Sequence, residues 1–251
     1  MCKAMIEIIQ ADKFYDKKQA LKEVNLTIKD GIVFGLLGHN GAGKSTLIKS
    51  LVSAHNLTKG KIKVDGLDLA EHRQAIKQKI GYVPDSPDLF LQLTAMEYWR
   101  LMMDIYGVSL EQAMPRMQEY LKIFAMVDDQ NTLLSSMSHG MRQKVILIGA
   151  LTLDPEIWIL DEPLTGLDPQ SAFELKELIK KHVASGNTVI FSTHILAIAQ
   201  EVCDELAILK KGEVIYTGSV ENLLATQPGK SLETIYLSLT GEEQQVGELD
   251  E

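Results

Sequence analysis

The sequence has very little cysteine. Cys2 and Cys203 are the only cysteines among 251 residues, and they lie far apart in the chain. A disulfide-rich secreted domain or a cysteine-based zinc module needs several cysteines at short spacings, so the sequence excludes both classes. We predict a reduced, cytosolic protein in which Cys203 is a small buried apolar residue.

Long apolar runs are missing as well. No stretch approaches the roughly 20 apolar residues that a helix needs to cross a bilayer. Residues 1–13 alternate polar and apolar side chains, so we expect a strand there and no signal peptide. If the protein works at a membrane, we expect it to reach that membrane through a partner.

Basic residues are outnumbered by acidic ones. The chain carries 25 Lys and Arg against 34 Asp and Glu, which gives a formal net charge of −9. Such a surface repels the phosphates of nucleic acids, so the charge argues against a nucleic-acid partner. A content of 45% hydrophobic and 24% charged residues is typical of a globular protein with a substantial apolar core.

Strand-like and helix-like patterns alternate along the chain. The predicted strands are Met5–Ala11, Leu21–Ile28, Ile32–Leu37, Lys61–Val64, Ile80–Val83, Ile157–Leu160 and Thr188–Ser192. A helix is predicted over Ser45–Ala54, and apolar residues three and four positions apart predict further helices from Thr94 to about Asp129. This alternation predicts an α/β fold with a mixed, largely parallel core sheet.

The same pattern predicts the domain organisation. We expect one domain over residues 1–240, with an N-terminal antiparallel β subdomain and a helical subdomain inserted at about residues 86–150. Residues 241–251 are polar and acidic, and we predict that they form a disordered tail. Because the chain has no internal repeat, it holds one core unit.

A glycine-rich segment follows the strand Ile32–Leu37 and leads into the next helix. Its residues are Gly38, His39, Asn40, Gly41, Ala42, Gly43, Lys44 and Ser45, which match the pattern G-x-x-x-x-G-K-S. Glycines let backbone amides turn towards an anion, and a helix start adds the positive end of its dipole. Lys44 is predicted to reach the β- and γ-phosphates of a nucleotide, Ser45 to bind Mg²⁺, and Thr46 to add a phosphate contact. The alternative is a glycine-rich turn that binds nothing.

A second buried strand ends in the carboxylates Asp161 and Glu162. Ligands gather at the carboxyl ends of parallel strands, so Asp161 is predicted to face the same Mg²⁺ as Ser45. Glu162 is predicted to be the general base that polarises the attacking water. An Asp-Glu-Pro strand end can also be only a turn that caps a helix. The phosphate-binding pattern upstream favours the catalytic interpretation.

Three further segments complete a family pattern. They are Ser138-His139-Gly140-Met141-Arg142-Gln143, Gly166-Leu167-Asp168-Pro169 and Thr193-His194. With the two motifs above, the sequence resembles the ATP-binding-cassette (ABC) ATPases, which have a P-loop NTPase core, from about Met5 to Gly218. The resemblance implies that ATP and Mg²⁺ are the cofactors and that the chain hydrolyses ATP.

The resemblance also implies roles for single residues. In the family, the Ser-x-Gly segment contacts the γ-phosphate of ATP held by the other subunit of a head-to-tail dimer, which implies this role for Ser138 and Gly140. Asp168 matches the D-loop, and His194 matches a histidine that contacts the γ-phosphate. A single histidine at a strand end can also be purely structural.

An aromatic residue stacks on adenine in this family, and Tyr15 matches its position. Phe14, the preceding residue, is the alternative stacking partner.

Two positions depart from the family pattern. The signature segment reads MSHGM instead of a sequence close to LSGGQ, although Ser138 and Gly140 are retained. Asp85 stands where the family usually has a glutamine that meets Mg²⁺. Its carboxylate is a candidate metal ligand, and an exposed turn residue after Pro84 is an equal alternative. A ligating Asp85 adds negative charge beside the phosphates and affects the hydrolysis rate.

The function implied by the resemblance is that of the ATPase subunit of an ABC transporter. Its partners would be a transmembrane permease and a second ATPase subunit, identical or related, and the dimer would close on ATP. The subunit would be cytoplasmic, at the inner face of the cell membrane, with membrane contact only through the permease. The segment Ser231–Thr240 resembles the tail of bacterial exporter-type subunits and favours export.

Two other classes remain as alternatives. One is a soluble ABC ATPase that acts on DNA or the ribosome, which the acidic charge and the absence of coiled-coil or zinc insertions disfavour. The other is an assembly ATPase, such as those for iron–sulfur clusters.

Overall fold

The computed structural model describes residues 4–241, whose elements are numbered here in chain order. The strands are β1 (Ala4–Tyr15), β2 (Lys18–Lys29), β3 (Val33–Leu37), β4 (Lys59–Val64), β5 (Leu67–Asp68), β6 (Ile80–Val83), β7 (Ile157–Asp161), β8 (Thr188–Thr193), β9 (Glu205–Lys210) and β10 (Glu213–Ser219). The helices are α1 (Lys44–Leu51), α2 (Arg73–Lys77), α3 (Ala95–Tyr106), α4 (Leu110–Ile123), α5 (His139–Thr152), α6 (Pro169–Ala184), α7 (Leu196–Val202), α8 (Val220–Ala225) and α9 (Leu232–Thr240). The described residues divide into two compact units, one within Met1–Arg73 and Ser192–Glu251 and the other formed by Gln74–Phe191.

The first unit contains a four-stranded antiparallel sheet in the order β2-β1-β4-β5. Its two long strands extend beyond the predicted Met5–Ala11 and Leu21–Ile28. Register shifts near Gln10 and Glu23, whose φ angles are 47° and 45°, interrupt the alternation of polar and apolar side chains. The predicted antiparallel subdomain is therefore confirmed, but its strands were predicted too short.

The first unit also holds the strand that leads into the glycine-rich loop. All residues of β3 are buried, and β3 runs parallel to β9, which pairs antiparallel with β10. Burial on both faces explains the continuous apolar run in the sequence. Cys203, predicted to be a small buried apolar residue, is buried, and this burial raises the pKa of its thiol to about 12.

The second unit brings two strand ends together and supports them with helices. β6 and β7 are parallel, with Val83 opposite Leu160, so their carboxyl ends lie side by side. The predicted helical block from Thr94 is interrupted at Gly107, which has a φ of 68° and ends α3. Helices α3 and α4 both pack on α5, and Trp99 Nε1 on α3 donates a hydrogen bond of 2.9 Å to a carbonyl oxygen of α5.

The remaining predicted strands are confirmed to within two residues by β3, β4, β6, β7 and β8. Parallel and antiparallel pairs occur beside helices, which confirms the predicted α/β class. Within residues 4–241, no helix is both long and apolar enough to cross a bilayer. The disordered tail predicted for residues 241–251 lies outside the described residues, except for Gly241.

Candidate functional site

The glycine-rich loop joins β3 to α1 with backbone angles that favour glycine. Gly38, Gly41 and Gly43 have φ angles of 153°, 82° and 115°, respectively. A Cβ on Gly38 would lie 2.6 Å from the carbonyl oxygen of Leu209, whereas one on Gly41 would have no atom within 4 Å. The loop is therefore packed against β9 on one side and open at its tip.

Lys44 provides a buried positive charge inside this loop. Its side chain belongs to a residue only 5% exposed, and its Nζ donates a hydrogen bond of 2.6 Å to the Gly38 carbonyl oxygen. The cap of α1 is Gly43, which has no side chain to occupy the amides of the first helical turn. Half-buried Ser45 and Thr46 follow in that turn. A buried ammonium, an open glycine loop and a helix start together fit the phosphates of a nucleotide.

Two other elements of the first unit contact the loop. The ring of His39 lies against Tyr236 of α9, with centroids 5.3 Å apart and planes at 69°. The Ala42 carbonyl oxygen accepts a hydrogen bond of 2.8 Å from the backbone amide of Gly212, in the turn between β9 and β10. Tyr236 was not among the predicted site residues, because it is distant from the loop in sequence and nothing local marks it.

Tyr15 and Phe14 lie on opposite sides of β1. The Tyr15 hydroxyl is 2.6 Å from Nε2 of His55, which follows the helix that starts at the phosphate loop. Phe14 instead lines a cleft of about 810 Å³, together with Tyr216 and other residues of β2 and β10. This placement favours Tyr15 over Phe14 as the residue that stacks on a nucleotide base.

His194 also belongs to the first unit. It is exposed and directly follows β8. The next amide, of Ile195, donates a hydrogen bond of 3.0 Å to Thr193 Oγ1, which fixes the turn after the strand. His194 is thus an exposed residue at the end of a strand, where the sequence predicted it.

In the second unit, the two carboxylates occupy different surroundings. Asp161 is the last residue of β7 and is fully buried. Glu162 has a φ of 49°, in the left-handed region that a glutamate rarely adopts, and its carbonyl oxygen accepts a hydrogen bond of 3.1 Å from the Thr165 amide. The backbone therefore leaves the extended conformation of β7 between Asp161 and Glu162.

Asp85 follows the end of β6, and Asp161 ends the neighbouring parallel strand β7, where Val83 pairs with Leu160. Burial raises the pKa of the Tyr82 phenol, and the negative charges of Asp161 and Asp85 raise it further. Asp85 itself is exposed and lies in a bend after Pro84. Both predicted roles of Asp85, metal ligand and turn residue, are compatible with this position.

The predicted signature segment forms the start of α5. Ser138 caps this helix, and its Oγ accepts a hydrogen bond of 3.3 Å from the Met141 amide. A Cβ on Gly140 would lie 2.4 Å from the carbonyl oxygen of Gly166, and a Cβ on Gly166 would lie 2.6 Å from the ring of His139. The signature segment and the D-loop segment are therefore in direct contact, and glycine is needed on both sides.

Asp168 strengthens this contact. Its carboxylate is 2.7 Å from Lys144 Nζ and accepts hydrogen bonds from the amide and hydroxyl of Ser171, at 2.9 and 2.8 Å. The Lys144 contact, followed by the two Ser171 hydrogen bonds, lowers the pKa of Asp168 well below its usual range. Sequence reasoning missed Lys144, although its position on α5, one turn after Gly140, is the signal that could have identified it.

The predicted metal ligands supply only a few oxygens, so Mg²⁺ bound by them would need phosphate oxygens to complete its coordination. Among residues 4–241, no group of three or more His, Cys, Asp or Glu is arranged to hold a metal ion. Mg²⁺ commonly takes one or two protein oxygens and completes its coordination with phosphates and water. Among the predicted ligands, Ser45 of the first unit has a hydroxyl oxygen, and Asp161 and Asp85 of the second unit have carboxylate oxygens.

The predicted site residues are divided between the two units. The phosphate loop, Tyr15 and His194 belong to the first unit. Asp85, Asp161, Glu162, Asp168 and the Ser138–Gly140 segment belong to the second.

Comparison with known proteins gives consistent matches over most of the chain. A family model described as "ABC transporter" matches residues 21–165. The chain is 36% identical over 230 residues to the ABC transporter ATP-binding protein NatA of Bacillus subtilis (strain 168), which covers 90% of this chain and 94% of NatA. It is 33% identical to the Nod factor export ATP-binding protein I of Rhizobium leguminosarum bv. viciae, over 92% of this chain and 74% of that protein. It is 31% identical to the daunorubicin resistance ATP-binding protein DrrA3 of Streptomyces coeruleorubidus, over 94% and 74%.

Solved structures agree with these matches. An ATP-binding subunit of an ABC transporter has a TM-score of 0.89 at 32% identity, over 94% of this chain and 99% of that one. The dimeric ATP-binding cassette MJ0796, in a post-hydrolysis state bound to ADP and Pi, has a TM-score of 0.77 at 28% identity, over 86% and 99%. CbiO1 from Clostridium perfringens, part of the ABC transporter complex cbiONQ, has a TM-score of 0.74 at 25% identity, over 98% of each chain.

Proposed function

Because this chain belongs to the ABC transporter family of ATP-binding proteins, we propose that it powers the export of a substrate through a separate transmembrane permease. Membership and ATP hydrolysis follow from the family match and the cassette structures. The observation that carries the proposal is the phosphate loop with buried Lys44, set within a chain that aligns with transporter subunits almost from end to end. Export is supported by relatives named for Nod factor export and daunorubicin resistance.

In the proposed binding step, the first unit holds ATP. Lys44 exchanges its contact with the Gly38 carbonyl for the β- and γ-phosphates, and amides of the loop surround the same phosphates. Tyr15 stacks on the adenine, and His194 contacts the γ-phosphate. Mg²⁺, when bound, neutralises charge on the phosphates.

In the proposed hydrolytic step, the second unit supplies the base. Ser45 and Asp161 would hold Mg²⁺, with Asp85 as a candidate third ligand, and Glu162 accepts the proton of the attacking water. The backbone changes from the extended strand at Asp161 to a left-handed conformation at Glu162, which supports different roles for the two residues.

The proposed site is completed by a second ATPase subunit, identical or related. Ser138 and Gly140 of one subunit contact the γ-phosphate held by the other, with Asp168 in the adjoining loop. ATP binding closes the dimer, and product release reopens it. We place the subunit in the cytoplasm at the inner face of the membrane, with the permease as its only membrane contact and without a nucleic-acid partner.

Replacing Lys44 and Glu162 separates binding from turnover. Lys44→Ala should weaken ATP binding itself, because it removes the buried ammonium. Glu162→Gln should bind ATP normally but lose turnover by a factor of 100 or more, roughly the contribution of general base catalysis. Equilibrium binding and phosphate release measured on both variants check this. Near-normal turnover by Glu162→Gln would show that another residue is the base.

The transport role is tested by the proteins that remain bound to the tagged chain in its native cells. A multi-span membrane protein should co-purify in stoichiometric amount from detergent extracts. Stable association with ribosomes or DNA, and no membrane partner, would overturn the transporter proposal in favour of a soluble ABC ATPase.

A further inference from the structure

A chain of hydrogen bonds connects the exposed Tyr15 ring to the helix that begins at the phosphate loop. The Tyr15 hydroxyl is 2.6 Å from His55 Nε2, and His55 Nδ1 is 3.4 Å from Ser50 Oγ. Ser50 Oγ in turn donates a hydrogen bond of 2.9 Å to the carbonyl oxygen of Thr46. Thr46 is in the first turn of α1, directly after Lys44 and Ser45.

The hydrogen bond from Ser50 to the Thr46 carbonyl determines which atom donates in each of the other hydrogen bonds. Because the Ser50 hydroxyl proton is directed to the Thr46 carbonyl, Ser50 Oγ can only accept from His55 Nδ1–H. In the neutral imidazole, His55 Nε2 then carries no proton and accepts from the Tyr15 hydroxyl. A neutral imidazole with one defined tautomer therefore joins the phenol to the helix.

The surroundings of His55 favour this neutral form. Burial lowers the pKa of the imidazole, and the positive charges of Lys13 and Lys49 lower it further. Lys13 Nζ donates a hydrogen bond of 2.7 Å to the Asn56 carbonyl oxygen and lies 5.1 Å from the centre of the Tyr15 ring. The Tyr15 ring also meets His55 edge-on, with centroids 5.6 Å apart and planes at 82°. Tyr15 is nevertheless 43% exposed, so part of its ring surface remains accessible to a ligand.

We propose that His55 is a positioning residue for the nucleotide base. It fixes the Tyr15 ring relative to α1, so that a planar base stacks on Tyr15 while its phosphates occupy the loop at the start of the same helix. This inference rests on the proposed ATP site. The new element is that His55 and Ser50 fix the position of the base-stacking residue relative to the phosphate loop. Neither residue belongs to a motif recognised in the sequence.

The test compares a ligand that has a base with one that does not. The full-length chain and its variants are titrated calorimetrically with the Mg²⁺ complexes of β,γ-imido ATP and of inorganic tripolyphosphate. His55→Leu removes both hydrogen bonds of the imidazole, and Tyr15→Phe removes only the hydroxyl. His72→Leu, at an exposed histidine of the same unit, is the matched control.

We expect His55→Leu and Tyr15→Phe each to weaken β,γ-imido ATP binding about fivefold, a part of what a full base–aromatic stack contributes. The double variant should be no weaker than either single variant, because the two changes break the same contact. Tripolyphosphate binding should remain unchanged in all of them. His55→Gln, whose side-chain oxygen can still accept from the Tyr15 hydroxyl, should recover part of the loss.

Other outcomes give distinct conclusions. Normal β,γ-imido ATP binding by His55→Leu would overturn the inference. An equal loss for both ligands would also overturn it, since it would show a structural role in the loop rather than an effect on the base. If the unmodified chain bound neither ligand, the proposed ATP site itself would fail.

Discussion

Among single residues, His182 is a buried histidine that the candidate site does not use. It stacks on Trp158, with ring centroids 3.8 Å apart and planes at 12°, and is only 7% exposed. Burial lowers its pKa to about 4, against the opposing effect of the Asp154 charge. The folded protein therefore keeps His182 neutral over a pH range in which the unfolded chain protonates it.

This difference predicts a loss of stability in mild acid. Because the unfolded state binds the extra proton, the stabilising contribution is complete above pH 6.5 and is lost as the pH falls from about 6.5 to about 4. We expect the loss to be on the order of 1–2 kcal/mol, because solvent screens part of the effect. Urea unfolding at pH 7.5, 6.0 and 5.0 measures it.

His182→Phe is the informative variant, because it keeps a ring to stack on Trp158 but cannot be protonated. The variant should lose less stability than the parent chain between pH 7.5 and 5.0. Replacing the exposed His72 with Gln should leave the parent pH dependence in place. Equal pH dependence in the parent chain and His182→Phe would contradict the prediction.

The residues that could be predicted from sequence are those whose chemistry depends on neighbours in the chain. The phosphate loop was recognisable because Lys44 and the loop glycines are close together in the sequence. His55 was not, because its partner Tyr15 lies 40 residues away and the contact exists only after β1 and α1 have packed in the same unit. Likewise, no pattern in the sequence indicates the left-handed backbone of Glu162.

At the scale of elements, α9 links the C-terminal part of the first unit to the phosphate loop. It buries Leu232, Ile235 and Tyr236, and Tyr236 contacts His39 in the loop. The carbonyl oxygen of Thr240, at the end of the helix, accepts a hydrogen bond from Lys210 at the end of β9. One helix therefore supports both the loop and the strand against which Gly38 packs.

This packing predicts that Tyr236→Leu weakens nucleotide binding without any direct contact to the ligand. Leucine keeps most of the apolar burial but loses the ring contact with His39, so the loop is less well held. We expect β,γ-imido ATP and tripolyphosphate to bind several-fold more weakly to a similar extent, since the phosphates meet this loop. Calorimetric titration with the two ligands measures the change.

Two variants on the same helix control this experiment. Tyr236→Phe keeps the ring and should bind both ligands normally. Leu239→Ala, at a residue 40% exposed on α9, should also have no effect. Normal tripolyphosphate binding by Tyr236→Leu would show that α9 does not support the loop.

Element boundaries show why the sequence predicted the helical block only in outline. The apolar spacing from Thr94 onward correctly predicted helices, but Gly107 and the capping Ser109 divide them into α3 and α4. Both signals are local and were present in the sequence. The ends of β1 and β2 could not be predicted from local signals. The two strands continue through register shifts that arise from their pairing, and these shifts interrupt the alternation of polar and apolar side chains.

At the scale of the whole molecule, the proposed ATP site is completed by a second subunit. Ser138 and Gly140 lie in the second unit, at the start of α5, where Gly140 packs against the carbonyl oxygen of Gly166 in its own chain. Ser138 is exposed, and its hydroxyl also caps α5. An informative variant must therefore keep the helix cap at position 138 while changing the charge that this position presents to a phosphate.

Asn and Asp at position 138 meet this requirement, because both are good helix caps and they differ by one negative charge. In the Glu162→Gln chain, ATP should produce a dimer of twice the monomer mass, detected by light scattering after size-exclusion chromatography. Ser138→Asn in that background should still dimerise with ATP. Ser138→Asp should remain monomeric, because its carboxylate would face the γ-phosphate held by the other subunit at close range. Dimers formed equally by the Asn and Asp variants would show that Ser138 does not face the bound ATP, whereas monomers in all variants would contradict the proposed ATP-driven closure.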